Sequence, residues 1–413
     1  ARARGGARRE ACSSVPPRAF PRRAPARFPE TPPMIHFTPG EFADRAARTR
    51  AEMARRGLDA LLLFAPEAQY WLTGYDTFGW CFFQCLVVTP ERMALLTRSA
   101  DLRQARQTSI LEDVRIWRDA EGADPSADLK ALLDELGLKG ARIGWETDTQ
   151  GLTAWNGARV SARLAGWAAL VEASDLMPEL RLVKSEAEIA YVREAARMGD
   201  AAWHAGLSAI RPGAHEGEVL AAMQGEVFRM GGDYAGNEFV VGGGEAALLC
   251  RYQSGRRPLA AEDQITLEWA GTAKRYHAAL MRTVPVGRAS AAHRSLWDAA
   301  RDALLACEAA MRPGRPMSEV FDAHARTLDA AGLGHARLNA CGYSLGPSYP
   351  PVWMERHMFF DGAATVMGPG MVFFLHMILM DDRSEAAMCL GRTSLVGAAG
   401  AEPLSALDRK SVV

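Results

Sequence analysis

Residues 264–286 read QITLEWAGTAKRYHAALMRTVPV, and they decide the reading of the chain. Apolar residues from Gln264 to Trp269 predict one strand, Gly271 a turn, and Tyr276 to Val286 a second strand. Glu268 ends the first apolar strand, where partial loss of water raises a carboxylate's pKa and suits it to general-base or nucleophilic work. An exposed strand-end glutamate is the plain alternative on pattern alone.

Two further clusters lie downstream. Gly342 to Pro351, followed by Trp353, Glu355, Arg356 and His357, combines glycine, proline and aromatics. It predicts a rigid loop whose rings and carboxylate suit a cationic small molecule, or else a packed surface loop. Pro369-Gly370-Met371 feeds an apolar strand ending at His376, with Asp381 and Asp382 beyond. A lone histidine there reads either as a site residue or as a satisfied core group. A weaker cluster joins Asn237-Glu238 and Arg251-Tyr252 around Gly242-Gly243-Gly244. That triple glycine marks a turn between strands and not a phosphate loop, since no Gly-Lys-Ser/Thr follows.

Outward from these clusters, the pattern predicts two domains. Thr38–Arg56 reads as an amphipathic helix, and Leu58–Phe64, Phe82–Thr89 and Met93–Thr97 read as strands. Helices follow near Ala127–Leu138 and Leu152–Leu164, an α/β pattern over residues 34–180. Asp175–Lys184 is the connector. Ser185 and Glu188 form a capping-box spacing that opens a helix over residues 186–208. Another helix spans Glu216–Met230, and a strand Glu238–Gly242. After the central strands come helices His293–Met311 and Met317–Ala331, then strands Met371–Met380 and Thr393–Val396. This is an α+β domain over 181–408, with 409–413 as a tail.

The chain has 413 residues, 48% hydrophobic and 23% charged, enough for one or two full cores. No apolar run reaches the roughly 18 residues that span a bilayer. The first 33 residues carry eight arginines against Glu10 and Glu30, so the formal −1 becomes −7 for the remainder. That removes the electrostatic support for nucleic-acid binding. Residues 1–33 read as a disordered extension, either an Arg-rich targeting peptide or upstream sequence from a misassigned start. Seven scattered cysteines without a Cys-x-x-Cys pair predict reduced thiols and a cytoplasmic protein.

With these residues in view, the chain resembles the creatinase, prolidase and methionine aminopeptidase superfamily. The resemblance covers residues 36–408, including Trp71-Leu72-Thr73-Gly74-Tyr75, Leu182-Val183-Lys184-Ser185 and Pro369-Gly370-Met371. It implies an α+β pita-bread catalytic domain behind a smaller α/β creatinase-type domain, and a homodimer. Peptidases of the superfamily hold two metal ions through two aspartates, a histidine and two glutamates. Those positions here are Glu268, Ala279, Tyr343, His376 and Gly391, a set that implies no metal and no cofactor.

The chain looks most like the metal-free ectoine hydrolase and creatinase branch. Glu268 to Thr283, the run from Gly346 to Arg356, Gly231 to Tyr234 and Met380 to Asp382 carry that likeness. It implies hydrolysis of a C–N bond in a small cationic or zwitterionic amidine, amide or guanidine. Glu268, Tyr343, His376 and His277 are then the candidate catalytic residues. Trp269, Tyr276, Arg251, Arg282, Tyr349, Trp353 and Glu355 are the candidate substrate-binding residues. Creatinase relatives place a proton-shuttling histidine where this chain has Arg251, and an arginine does not release a proton near neutral pH. Either His277 or His376 moves the proton, or Arg251 binds a substrate carboxylate. A Xaa-Pro peptidase with a reduced metal site, and a non-catalytic binding protein, are the alternatives.

Overall fold

The computed structural model describes residues 34–252 and 256–407. The expectations for residues 1–33 and 409–413 lie outside them.

The N-terminal domain opens with α1 (Pro39–Arg56). The Thr38 hydroxyl accepts the Glu41 N–H at its start, and Gly57 at φ 63° closes it. There follow β1 (Ala60–Leu63), α2 (Pro66–Thr73), β2 (Cys85–Val88), β3 (Met93–Arg98), α3 (Leu102–Thr108), β4 (Asp113–Trp117), α4 (Pro125–Glu135), β5 (Arg142–Trp145), α5 (Ala154–Leu164) and β6 (Ala169–Glu172). They build a mixed sheet of order β4-β3-β2-β1-β5-β6. The pattern does not predict α2, because seven of its eight residues are buried and no polar face marks its period. Strands β4 to β6 are four or five residues long and partly exposed, too short for alternation to register.

The connector is α6 (Leu176–Leu182), which leads into α7 (Glu186–Ala209). Ser185 and Glu188 form the capping box reciprocally, as their spacing predicts. Then come α8 (Glu216–Arg229), β7 (Val240–Gly243), β8 (Asp263–Ala273), β9 (Tyr276–Val286), α9 (Ala291–Ala310), α10 (Ser318–Ala330), β10 (Ala340–Leu345), β11 (Met354–Phe360), β12 (Val372–Asp381), β13 (Ala386–Val396) and β14 (Ala401–Pro403). The second sheet runs β11-β10-β12-β13-β9-β8-β7, antiparallel throughout, with β14 added on β13. Tyr343 therefore sits on a strand, not in the predicted loop. Gly342, on the same strand, serves close approach: a Cβ there would lie 2.3 Å from the Phe374 carbonyl oxygen.

Strand alternation gives this sheet two faces with different work. One packs under the helices: Trp269 Nε1 donates to the Gly199 carbonyl on α7 at 2.8 Å, and Arg392 pairs with Glu308 on α9 at 2.6 Å. Gly271 makes the first contact possible, since a Cβ there would stand 1.9 Å from the Ala195 carbonyl oxygen. The opposite face carries Glu268, Ala279, Met281, Gly391, His376, Phe374 and Tyr343, set side by side by the registers Glu268↔Met281, Gly391↔Met281, His376↔Gly391 and Tyr343↔Phe374. Among the described residues, no helix is long and apolar enough to cross a membrane.

The domains meet around Glu188. Its Oε1 accepts from Trp71 Nε1 at 3.0 Å and from the Tyr276 hydroxyl at 2.7 Å, its Oε2 accepts the Ser185 N–H at 2.9 Å, and Arg45 stands 3.6 Å away.

Candidate active site

Glu268 is the centre of the site. Its position on β8 buries it among apolar strands, leaving 6% exposed. Burial raises its carboxyl from 4.5 to about 7, against the opposing pull of the Arg251 charge and a hydrogen bond from Tyr343. The Tyr343 hydroxyl donates to Glu268 Oε1 at 3.4 Å, and it accepts from Trp353 Nε1 at 2.8 Å. Since an indole N–H can only donate, the Tyr343 proton is directed toward Glu268. Burial drives the phenol's own pKa well above its ordinary value, so the group stays a donor.

His376 on β12 stands with its ring 5.5 Å from that of Tyr343. Burial drops its pKa to about 3, so the imidazole is neutral at physiological pH, and Nδ1 has no hydrogen-bond partner among the described residues. His277 is also neutral, lowered to about 4 by burial, and its Nε2 accepts the Gly236 N–H at 2.8 Å. Neither histidine is an imidazolium near pH 7. Arg251 is exposed, and its charge acts on Glu268, Tyr343 and His376 together.

Of the predicted substrate-binding residues, Trp353 reaches this group through Tyr343, and Arg251 acts on it through its charge. Trp269 points to the helix side, stacked on Trp203 at 5.6 Å. The register Leu267↔Arg282 places Arg282 on that side too, where its Nη1 donates to the carbonyls of Met281 and Gly391. Tyr276 is committed to Glu188. Tyr349 is buried, its hydroxyl donating to Asp76 at 2.9 Å and its N–H to Glu67 at 3.1 Å. Glu355 forms buried ion pairs with Lys184 at 3.0 Å and Arg181 at 3.4 Å. Burial alone would raise its pKa, but the two cations hold it below the usual range. The structure thus assigns these five residues to packing and to the joint between domains. Phe374 was not anticipated. Its ring, 5.4 Å from Tyr343 and 5.5 Å from His376, fills space beside the site, and only the strand pairing brings the three together.

Residues 190–398 match metallopeptidase family M24, and residues 45–183 match the creatinase/prolidase N-terminal domain. The chain belongs to metallopeptidase family M24, within the creatinase/prolidase superfamily. An ectoine hydrolase from Halomonas elongata is 28% identical over 404 residues, covering 92% of this chain and 98% of that one. An uncharacterised hydrolase/peptidase from Sinorhizobium fredii is 28% identical over 393 residues, with 92% and 99% coverage. A prolidase from Thermococcus sibiricus superposes with a TM-score of 0.80 at 17% identity, covering 89% of this chain and 98% of that one. An X-Pro aminopeptidase from Thermotoga maritima gives 0.78 at 19% identity, with 88% and 98% coverage. These two establish the pita-bread fold.

The family implies a metal centre, and the side chains at the five ligand positions do not fit one. Ala279 has no donor atom, and Tyr343 is a protonated phenol bonded to its neighbours. Gly391 leaves no room for a carboxylate, because a Cβ would lie 2.8 Å from the Phe374 ring and 2.9 Å from the Leu375 carbonyl oxygen. Glu268 and His376 alone cannot balance two divalent ions. Among the described residues, no group of three or more His, Cys, Asp or Glu side chains could hold a metal ion. Gly391→Glu is accordingly expected to destabilise the fold by about 2 kcal/mol through overpacking, read from chemical denaturation. Unchanged stability would show that the position still accepts a ligand.

Proposed function

We propose that this chain is a metal-independent hydrolase that opens a C–N bond in a small amidine, amide or guanidine. The observation that carries the reading is the bonded series Glu268–Tyr343–Trp353 on a face where two of the other three metal positions, Ala279 and Gly391, lack donor atoms. Ionised Glu268 takes a proton from water as the water oxygen adds to the electrophilic carbon. The Tyr343 hydroxyl, oriented by Trp353, turns to the developing tetrahedral centre. Glu268 then returns the proton to the leaving nitrogen, the C–N bond breaks, and a carbonyl product and an amine separate. A carboxyl with a pKa of about 7 serves both halves of that transfer. His376, neutral, offers a hydrogen bond and not a proton, while Arg251 suits a substrate carboxylate.

The mechanism predicts a rate that rises with pH through a midpoint near 7 as Glu268 ionises. A profile of kcat/KM from pH 5 to 9 checks it, and a flat profile would remove Glu268 as the base. The function itself is tested by mass spectrometry of ectoine, creatine and an X-Pro dipeptide, each incubated with the full chain. Opening of an amidine or guanidine is expected. Cleavage of the dipeptide alone would favour an Xaa-Pro peptidase instead.

A further inference from the structure

Trp269, Tyr349 and Trp353 are all buried, so none offers an open ring face to a cationic ligand. A cavity of about 340 Å³ does contain such faces. Its walls include Phe228 and Tyr234, 42% and 72% exposed, packed edge to face at 5.0 Å. Glu238 lines the same cavity, and its carboxylate has no hydrogen bond or ion pair among the described residues. Ala270 forms part of the floor. It lies two residues beyond Glu268 on β8 and shares its face, so the two Cα atoms are about 7 Å apart. Gly236, also in the lining, donates its N–H to His277. The cavity therefore opens beside the site on the same sheet face.

We propose that this cavity is a cation subsite, in which Glu238, Phe228 and Tyr234 receive a positively charged group of the substrate remote from the reacting carbon. The physics is ordinary. A carboxylate supplies the counter-charge, two electron-rich ring faces supply cation–π attraction, and the recess strips part of the water from the ligand. Exposed aromatic rings would otherwise cost hydration without return. The subsite selects substrates carrying a permanent charge, such as an ammonium or guanidinium, over neutral amides of the same shape. It rests on the hydrolase reading only for the word substrate, since the binding chemistry stands by itself.

The test is therefore binding and not turnover. Isothermal titration of the full chain with tetramethylammonium chloride is set against tert-butanol, a neutral molecule of similar shape. The cation is expected to bind in the millimolar range and the alcohol at least tenfold more weakly. Glu238→Gln should weaken the cation about tenfold, and Tyr234→Leu about threefold. Equal binding of the two probes, or an unaltered cation affinity in Glu238→Gln, would overturn the proposal. Cation binding in a chain without hydrolase activity would leave the subsite standing and discard the reaction. Hydrolysis with no cation preference would do the reverse.

Discussion

Glu268→Gln should lower turnover by about a thousandfold and, at the same time, make the protein more stable at pH 8. The first effect follows from removing the group that the mechanism uses to accept and return the proton. The amide keeps the size of the carboxylate and still accepts the Tyr343 hydroxyl, so the fold is retained. The second effect follows from linkage. The folded pKa of about 7 lies above the reference 4.5, so ionising Glu268 opposes folding. That cost is absent below about pH 4.5, grows as pH rises through 7, and reaches about 3 kcal/mol above it. The variant escapes it, and its advantage should fade as pH falls toward 4.5. Denaturation midpoints at pH 5 and pH 8 measure the difference. Full activity in the variant would end the role assigned to Glu268, and equal stability at pH 8 would show its carboxylate to be satisfied.

Glu188→Ala should cost on the order of 4 kcal/mol of stability, the largest loss expected from a residue outside the site. Its carboxylate accepts from Trp71, Tyr276 and the Ser185 amide and shares the buried Arg45 with Glu41. Removing it strands three donors where water has little access and leaves Arg45 with Glu41 as its remaining counter-charge. The loss also uncouples the N-terminal domain, since Trp71 and Arg45 lie on one side of the joint and Tyr276 on the other. Thermal and chemical denaturation check the size, and a change below 1 kcal/mol would mean that water replaces the carboxylate. Glu188→Gln should recover part of the loss.

The central strand pair and the α7 capping box were legible because their signals are local: alternation, a glycine turn and a spacing of three residues. Trp269 and Tyr276 lie away from Glu268 for a reason that alternation itself contains. Neighbours such as Glu268 and Trp269, or Tyr276 and His277, point to opposite faces, and proximity in sequence had grouped them. Arg282 is separated from the site by the same rule. The link from Trp353 to Tyr343 crosses the β10–β11 hairpin and leaves no trace in local pattern. Nor does the steric block at Gly391, which depends on a ring from the adjacent strand. Glu238 was visible only as a polar residue near glycines, because its aromatic companions stand on or just beyond α8.

The most direct test is the hydrolysis rate of the metal-depleted full chain on ectoine, followed by mass spectrometry in excess chelator with residual metal quantified in the same sample. A rate unchanged by chelation, with far less than one metal ion per chain, is the predicted result. Loss of activity on chelation, restored by manganese, would contradict it and return the chain to the metal chemistry of its family.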